Sequence, residues 1–406
     1  MKFTNYHWSL LANLSQSVFA WLVLMSMVKT GNQQDLGLYT YVQSIVLPIQ
    51  LFFTLKLRTI QNSDINDEFS YYEYNGLRIL MSLLNLVSVT VIVFALDMDH
   101  KMVYIVMALT YSLYILRESY ISLVQKINRN DVFFYINIVS GIVSFLLFFS
   151  SYIYTEDLAL SLAISFFSRI LVYVTFERRV SAKFILELTQ KRKDKSAYIL
   201  IFKKAWPLAI TALVGALFTS IPRIILETEL GINELAIFGA LSSLLFFINI
   251  LVNSFVQSSL PDFAKLYEKS LSDFMKSFFS ITIKLVVISL LCFVLVYIFG
   301  ETFLRILFSP EYAAYTSELI MIFISGVALS LFSVGNLLLS SQRSFNIQLP
   351  IYVVVALLIF ILSTIFIPKL GMLGAISSQI ISYVFGFALC VFYFLIRCRN
   401  AENVKI

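Results

Sequence analysis

Long, nearly uninterrupted apolar runs recur along this 406-residue chain, and they are the feature that most limits how it can fold. Runs such as 77–96 and 348–367 are about as long as an α-helix needs to cross a hydrocarbon core of about 30 Å. With 59% hydrophobic and 13% charged residues, the chain is far less charged than a soluble domain, which is normally about 25% charged. A transmembrane β-barrel would instead show apolar and polar residues in alternation over about ten positions. The sequence therefore predicts an all-α polytopic membrane protein.

Turn-forming residues separate the apolar runs into twelve predicted transmembrane helices. They cover about 8–28, 36–55, 77–96, 102–125, 132–153, 158–176, 206–226, 234–257, 278–299, 312–338, 348–367 and 372–396. No small-residue cleavage site follows the first of them, so we expect a retained span and not a cleaved signal peptide.

The longest polar segment, 177–205, divides the apolar runs into two sets of six. It carries nine basic and three acidic residues, a difference of +6 that equals the formal net charge of the chain. We predict three parts: an N-terminal six-helix lobe (1–176), a basic cytoplasmic linker (177–205), and a C-terminal six-helix lobe with a short cytoplasmic tail (206–406).

Basic residues also fix the predicted orientation, because cytoplasmic loops are enriched in Lys and Arg. With both termini in the cytoplasm, and with Arg78 at the start of the third span counted as cytoplasmic, the cytoplasmic segments hold 22 of the 30 Lys and Arg residues, the outer loops four and the spans four. The outer loops are short and mostly acidic. The sequence thus predicts a multi-pass membrane protein with both termini in the cytoplasm.

The two halves share a sequence pattern that predicts an internal repeat. Trp8 opens the first span and Trp206 the seventh, 198 residues later. The second span begins with the five residues from Asp35 to Tyr39, and the eighth with a similar set from Glu234, offset by 199. An even number of spans per half makes the repeat a parallel one. Chance similarity between apolar helices is the alternative.

Charged residues inside spans are costly, at roughly 2.5–3.5 kcal/mol each on insertion scales, and usually face a partner or a wet cavity. Arg117, Arg169 and Arg223 are the candidate cavity residues, whereas Lys284 can snorkel to the inner interface. Arg223 can also pair with Glu227, and Arg117 can be a structural tie to another span. Glu118 is either the counter-charge of an arginine in its lobe or a proton-coupling site.

Polar stripes mark further candidate cavity-lining residues. Those singled out are Asn13 and Gln16 in the first span, Gln43 in the second, and Asn249, Asn253 and Gln257 in the eighth. Such stripes either hold helices together or line a solvated path.

The sequence contains no motif for catalysis, for metal binding or for a nucleotide, so we expect no enzyme activity, no cofactor and no metal site. The two histidines, His7 and His100, lie far apart, which argues against a histidine-built site. The absence of a nucleotide-binding motif also excludes a self-contained ATP-driven pump.

Several stretches resemble the polysaccharide flippases of the Wzx type, the O-antigen transporters within the multidrug/oligosaccharidyl-lipid/polysaccharide exporter (MOP) superfamily. They are Trp206-Pro207, Ile221-Pro222-Arg223, Glu234 to Gly239, Leu260-Pro261-Asp262, Ser309 to Tyr312 and Leu370 to Ala375. Each is weak alone, but their order along residues 206–375, together with the twelve spans and the repeat, is typical of the family.

The resemblance implies two six-helix lobes with a central cavity and alternating access. It implies an undecaprenyl-pyrophosphate-linked oligosaccharide, such as an O-antigen or capsule repeat unit, turned from the inner to the outer leaflet. Membrane lipid, a polysaccharide polymerase and a chain-length regulator are the expected partners, and nucleic acid is not. Arg117, Arg169 and Arg223 are assigned to the pyrophosphate by their position inside spans and not by a motif match.

Two other functions remain open at this stage. One is an ion-coupled multidrug or cation antiporter of the same superfamily, for which a more acidic cavity is expected. The other is a polysaccharide polymerase or ligase, which would typically carry a large outer loop.

The loop charges predict that reporter fusions after Arg192 and after Arg397 both read as cytoplasmic. A periplasmic readout from either fusion would overturn the twelve-span arrangement. Paired alkaline phosphatase and green fluorescent protein fusions at each site provide the measurement, since each reporter is active on one side only.

Overall fold

The computed structural model describes residues 5–30, 32–64, 68–180, 195–245, 271–342 and 345–403, together with Phe263, Leu266 and Lys269. Within these residues the chain is helical apart from short turns, and no strand occurs. The predicted all-α class is confirmed.

The chain forms two compact units, Met1–Ala216 and Leu217–Ile406. The helices that begin in unit 1 are α1 (Asn5–Thr30), α2 (Gln33–Phe53), α3 (Leu57–Ser63), α4 (Tyr71–Ala95), α5 (Lys101–Lys126), α6 (Asn130–Thr155), α7 (Leu158–Val172) with a π-helical turn (Tyr173–Glu177), and α8 (Lys195–Leu230). Helix α8 starts in unit 1 and ends in unit 2.

Unit 2 continues with α9 (Ile232–Ser243), α10 (Leu271–Leu307), a 3₁₀ turn (Pro310–Tyr315), α11 (Thr316–Ser341), α12 (Phe345–Leu370) and α13 (Met372–Asn403). Its buried polar contacts join neighbouring helices: the Ser363 and Ser378 hydroxyls lie 2.8 Å apart, and Gln379 Nε2 donates to the Phe218 carbonyl at 3.1 Å.

Within the described part of the chain, nine helices are long and apolar enough to cross a membrane, which supports a multi-pass membrane protein. They coincide with nine of the twelve predicted spans. Of the other three, 102–125 matches α5, 278–299 lies inside α10, and 234–257 starts as α9 and continues beyond the described residues. The twelve-helix count and the repeat therefore stay predictions.

The predicted linker is helical at both of its described ends. Glu177 closes the π-helical turn after α7, and Lys195 already begins α8. The early part of α8 belongs to unit 1 and packs against α3 and α4. Its contribution to this buried cluster is Ala197, Ile201 and Ala205. Residues 181–194, which carry four of the nine basic side chains, lie outside the described residues.

Helix α4 shows how the bilayer reverses the polarity of a soluble fold. Its outward face is apolar, with Leu83, Val87 and Val91 all more than half exposed. Its buried face carries Ser82 and Asn85, which bond to α5: Ser82 Oγ donates to the Ser112 carbonyl at 3.0 Å and Asn85 Nδ2 to Ser112 Oγ at 2.9 Å. Because lipid offers no hydrogen bonds, polar side chains stabilise contacts between helices.

A close approach between α12 and α13 requires glycine at position 374. A Cβ atom there would lie 2.3 Å from the carbonyl oxygen of Phe366, a backbone atom that cannot rotate away. At Gly300, by contrast, the nearest atom to a new Cβ is a Thr316 methyl group at 3.3 Å.

We therefore expect Gly374→Ala to lower the free energy of unfolding by about 1–3 kcal/mol, because overpacking must displace backbone. Gly300→Ala is the matched control, since both substitutions add one methyl group to a helix. Thermal unfolding of the purified protein in detergent compares them; equal melting temperatures would contradict the predicted clash.

Candidate functional site

The interior of unit 1 contains an ion pair between Arg117 on α5 and Glu177 at the end of the π-helical turn. Both side chains are almost fully buried, at 4% and 1% exposed. Arg117 Nε donates to Glu177 Oε2 at 2.8 Å, and Nη2 lies 2.8 Å from Oε1. The first contact is a hydrogen bond and the second is an ion-pair contact, since Glu177 Oε1 accepts no hydrogen bond from the residues that the structure describes. Together they hold the guanidinium beside the carboxylate.

The π-helical turn explains why Glu177 points inward. A π turn inserts an extra residue per turn, which rotates the following side chains relative to a regular α-helix. Glu177 was assigned to the polar linker in the sequence analysis, and the structure places it instead in the helix and in the core. Local composition does not predict the burial of Glu177, because the charged residues 177–179 are typical of the start of a solvated segment.

Asn137 extends the pair to two further helices. Arg117 Nη2 donates to Asn137 Oδ1 at 3.5 Å, and Asn137 Nδ2 donates to the Ala12 carbonyl at 3.0 Å. Helices α5, α6 and α1 are thus joined through one buried polar chain, which is the structural tie left open as an alternative for Arg117.

Tyr114 is in contact with both Arg117 and Arg169. The guanidinium carbon of each arginine is 5.5 Å from the centre of the Tyr114 ring, within cation–π range. Arg169 Nη1 also donates to the Tyr114 phenol oxygen at 2.7 Å. One tyrosine therefore links α5 to α7 and contacts both cations.

Arg169 differs from Arg117 in its charge balance. It is only partly buried, and no carboxylate in the described part of the chain lies within ion-pair distance of it. Because Tyr114 accepts from Arg169, its own hydroxyl hydrogen is left to donate elsewhere. Arg169 and Tyr114 together can offer several hydrogen-bond donors and one net positive charge to an anion.

Glu118, next to Arg117 in sequence, faces a different helix. Its Oε1 lies 3.3 Å from Arg58 Nη1 on α3, with the two side chains 28% and 34% exposed. Arg58 in turn lies 5.9 Å above the Phe133 ring. The structure thus gives Glu118 a counter-charge in its own unit, while a coupling role remains a hypothesis.

The buried Arg78 was missed by sequence reasoning, which counted it with the cytoplasmic loops. It is 1% exposed, and its Nη1 and Nη2 donate to Gln61 Oε1 and Ser122 Oγ, both at 2.8 Å. The available signal was the capping box of Ser70 and Glu73, which begins α4 and sets Arg78 two turns inside it.

The other candidates divide between the two units. In unit 1, Asn13 bonds within its own helix, Gln16 is exposed, and Gln43 Nε2 donates to the Tyr111 hydroxyl at 3.4 Å, beside Tyr114 on α5. In unit 2, the buried Arg223 donates to Ser242 Oγ at 3.3 Å. Asn249, Asn253 and Gln257 lie outside the described residues, so the structure brings Arg117 and Arg169 together and leaves the eighth-span stripe untested.

Comparisons with known proteins identify the fold of the chain and one relative in sequence. No family model matches the chain. The capsular polysaccharide biosynthesis protein CapF of Staphylococcus aureus is 28% identical over 390 residues, covering 93% of this chain and 95% of CapF. A multidrug resistance transporter of the MATE family in the MOP superfamily superimposes with a TM-score of 0.72 at 12% identity, covering 98% and 96% of the two chains. A MOP superfamily transporter from Pyrococcus furiosus, described as having a binding pocket of reverse polarity, gives 0.64 at 11% identity with the same coverage.

The chain has the fold of the MOP superfamily. The resemblance predicted from the sequence is confirmed in fold by the solved MOP superfamily structures and in sequence by CapF. The solved MOP structures are too distant in sequence to transfer a substrate, so the substrate must be argued from the residues themselves.

The buried pair predicts a large stability effect when only one partner is removed. Glu177→Leu should lower the free energy of unfolding by about 3–5 kcal/mol, because it leaves the Arg117 charge buried and uncompensated. The double change Arg117→Met with Glu177→Leu should recover much of that loss.

Asp131→Ala is the control, since its pair with Arg129 is exposed and such pairs contribute about 0–1 kcal/mol. Thermal unfolding in detergent measures all four proteins. A Glu177→Leu protein as stable as the wild type would show that the pair does not support the unit.

Proposed function

We propose that this protein is a flippase that moves an undecaprenyl-pyrophosphate-linked oligosaccharide, an O-antigen or capsule repeat unit, from the inner to the outer leaflet of the bacterial inner membrane by alternating access. The observation that carries the proposal is Arg169, a partly buried cation in a membrane helix with no carboxylate beside it in the described part of the chain. A relative in capsular polysaccharide biosynthesis and the MOP fold support it.

The chemistry of the cargo fits this site. A diphosphate leaving water needs replacement partners, and hydrogen bonds from a charged donor are about twice as strong as neutral ones. Arg169 retains N–H donors beyond the one used by Tyr114, and the Tyr114 hydroxyl adds a further donor. We propose that these two residues contact the diphosphate directly.

Arg117 has a different part in the proposal. Glu177 already neutralises the charge of Arg117. Arg117 therefore acts mainly by holding Tyr114 in place through the cation–π contact between its guanidinium and the ring. Arg223 in unit 2 is proposed as a further phosphate contact. The candidate cavity-lining asparagines and glutamines of both units are proposed as partners of the sugar. A polymerase and a chain-length regulator are proposed as neighbours in the membrane, and both termini as cytoplasmic.

An ion-coupled multidrug or cation antiporter is the second candidate. The observation that favours it is Glu118, an acid in a membrane helix that is partly exposed beside Arg58. An antiporter should expel a cationic dye from cells and lose that activity on Glu118→Gln, whereas the flippase should restore surface polysaccharide.

We expect Arg169→Ala to reduce surface polysaccharide at least about tenfold, since a hydrogen bond to a charged group contributes about 1.5–3 kcal/mol. Arg169→Lys keeps the charge but loses the planar fork, so an intermediate defect is expected. Tyr114→Phe should weaken transport less than Arg169→Ala, because the ring and its cation contact remain. The measurement is polysaccharide per cell in a flippase-null strain, at matched protein levels in the membrane.

Arg129→Ala is the control, because Arg129 is an exposed arginine paired with Asp131 outside the proposed site. Full polysaccharide from Arg169→Ala would remove Arg169 from the site. Failure of the wild-type protein to restore any polymer, together with dye expulsion, would favour the antiporter.

A further inference from the structure

Unit 1 has a second polar site at its opposite end, in a cleft of about 600 Å³. The cleft lies where α1 meets α2 and where α6 ends, on the side that the loop charges predict to be outer. Six polar side chains line it: Thr30, Asn32, Gln33, Gln34, Tyr152 and Glu156. Its volume is in the range of small-molecule sites.

One wall of the cleft is held rigid by Asp35. Its Oδ2 accepts from Asn32 Nδ2 and from the Tyr152 hydroxyl, both at 2.7 Å, and its backbone N–H donates to Asn32 Oδ1 at 3.0 Å. The Tyr152 ring also stacks on Phe148 at 5.6 Å. Asp35 therefore ties the start of α2 to the end of α6 and fixes two of the lining groups.

The other wall groups have no such partners. Gln33, Gln34 and Glu156 make no side-chain hydrogen bond or ion pair with any residue that the structure describes. Glu156 also adopts the left-handed backbone conformation, with φ of 50°, where a glycine or asparagine would be less strained. The polar atoms of these three side chains are therefore open to a ligand in the cleft.

The lining chemistry selects the class of ligand. No Lys, Arg or His lines the cleft, so it is unsuited to a phosphate. Two amides offer donors and acceptors, a carboxylate offers acceptors, and the half-exposed Ile153 adds an apolar patch. That combination matches a sugar ring, which carries hydroxyl groups at its edge and C–H groups on its faces.

We propose that this cleft binds a sugar unit of the cargo on the outer side of the membrane, separately from the diphosphate. The inference rests on the proposed function and deepens it. Arg169 lies 11 residues beyond Leu158, the first residue of α7, or about 17 Å along a helix at 1.5 Å per residue. The sugar cleft and the phosphate site are thus distinct places in unit 1.

The experiment uses two probes on the full-length protein in lipid nanodiscs. One probe is the repeat-unit oligosaccharide of the host, freed of its lipid and pyrophosphate; the other is inorganic pyrophosphate. The triple variant Gln33→Ala, Gln34→Ala, Glu156→Gln should bind the oligosaccharide at least about tenfold more weakly and pyrophosphate unchanged. Arg169→Ala should show the opposite pattern. Calorimetric titration measures both affinities.

The triple variant leaves Asp35, Asn32 and Tyr152 intact, so its melting temperature should match the wild type, and Gln125→Ala at the other end of unit 1 is the amide control. Oligosaccharide binding by the triple variant equal to that of the wild type would overturn the inference, and so would a wild type that does not bind this probe. If the wild type binds the probe but restores no polysaccharide in the null strain, the proposed flippase function fails while the sugar site stands.

Discussion

The buried ion pair between Arg117 and Glu177 is the interaction on which the interior of unit 1 depends. Burying a charge far from water is costly unless a partner charge compensates it. Here the Arg117 Nε hydrogen bond to Oε2 and the Nη2 contact with Oε1, both at 2.8 Å, supply that compensation. The π-helical turn is what brings the carboxylate into register. Asn137 then carries the connection to α6 and α1, so that four helices are fixed around one guanidinium.

Glu177 neutralises the charge of Arg117 but not that of Arg169, so the two arginines differ in chemistry although both lie in apolar stretches of sequence. Both lie in apolar helices and both contact Tyr114, yet only Arg117 has a carboxylate partner among the residues described. The positive charge that remains is therefore localised at Arg169. Because Arg117 also contacts the Tyr114 ring, the buried pair helps to fix the tyrosine to which Arg169 donates, which is the kind of support a binding site needs.

Sequence periodicity predicted the features that depend on local composition: the all-α class, nine spans that the structure bears out by length and composition, and the approximate position of each. It did not predict partners that are distant in sequence. Glu177 and Arg117 are 60 positions apart, and Arg78 reaches Ser122 over 44. Composition also misled at helix ends, where Arg78 and Glu177 looked like loop residues because charge normally marks the membrane boundary.

Under the proposed function, the two proposed sites of unit 1 would bind two chemically different parts of one cargo. The diphosphate of such a cargo is anionic whatever its sugar, so a cationic site suits the diphosphate and an uncharged-to-acidic cleft suits a neutral sugar. A single strongly basic site would bind the diphosphate tightly throughout transport. Such tight binding would slow the release of the cargo. Separating the groups over about 17 Å lets weak sugar contacts at the outer side offset the loss of the phosphate contacts. The order of engagement would then follow from position along α7: phosphate first at Arg169, sugar retained last beside Gln33 and Glu156.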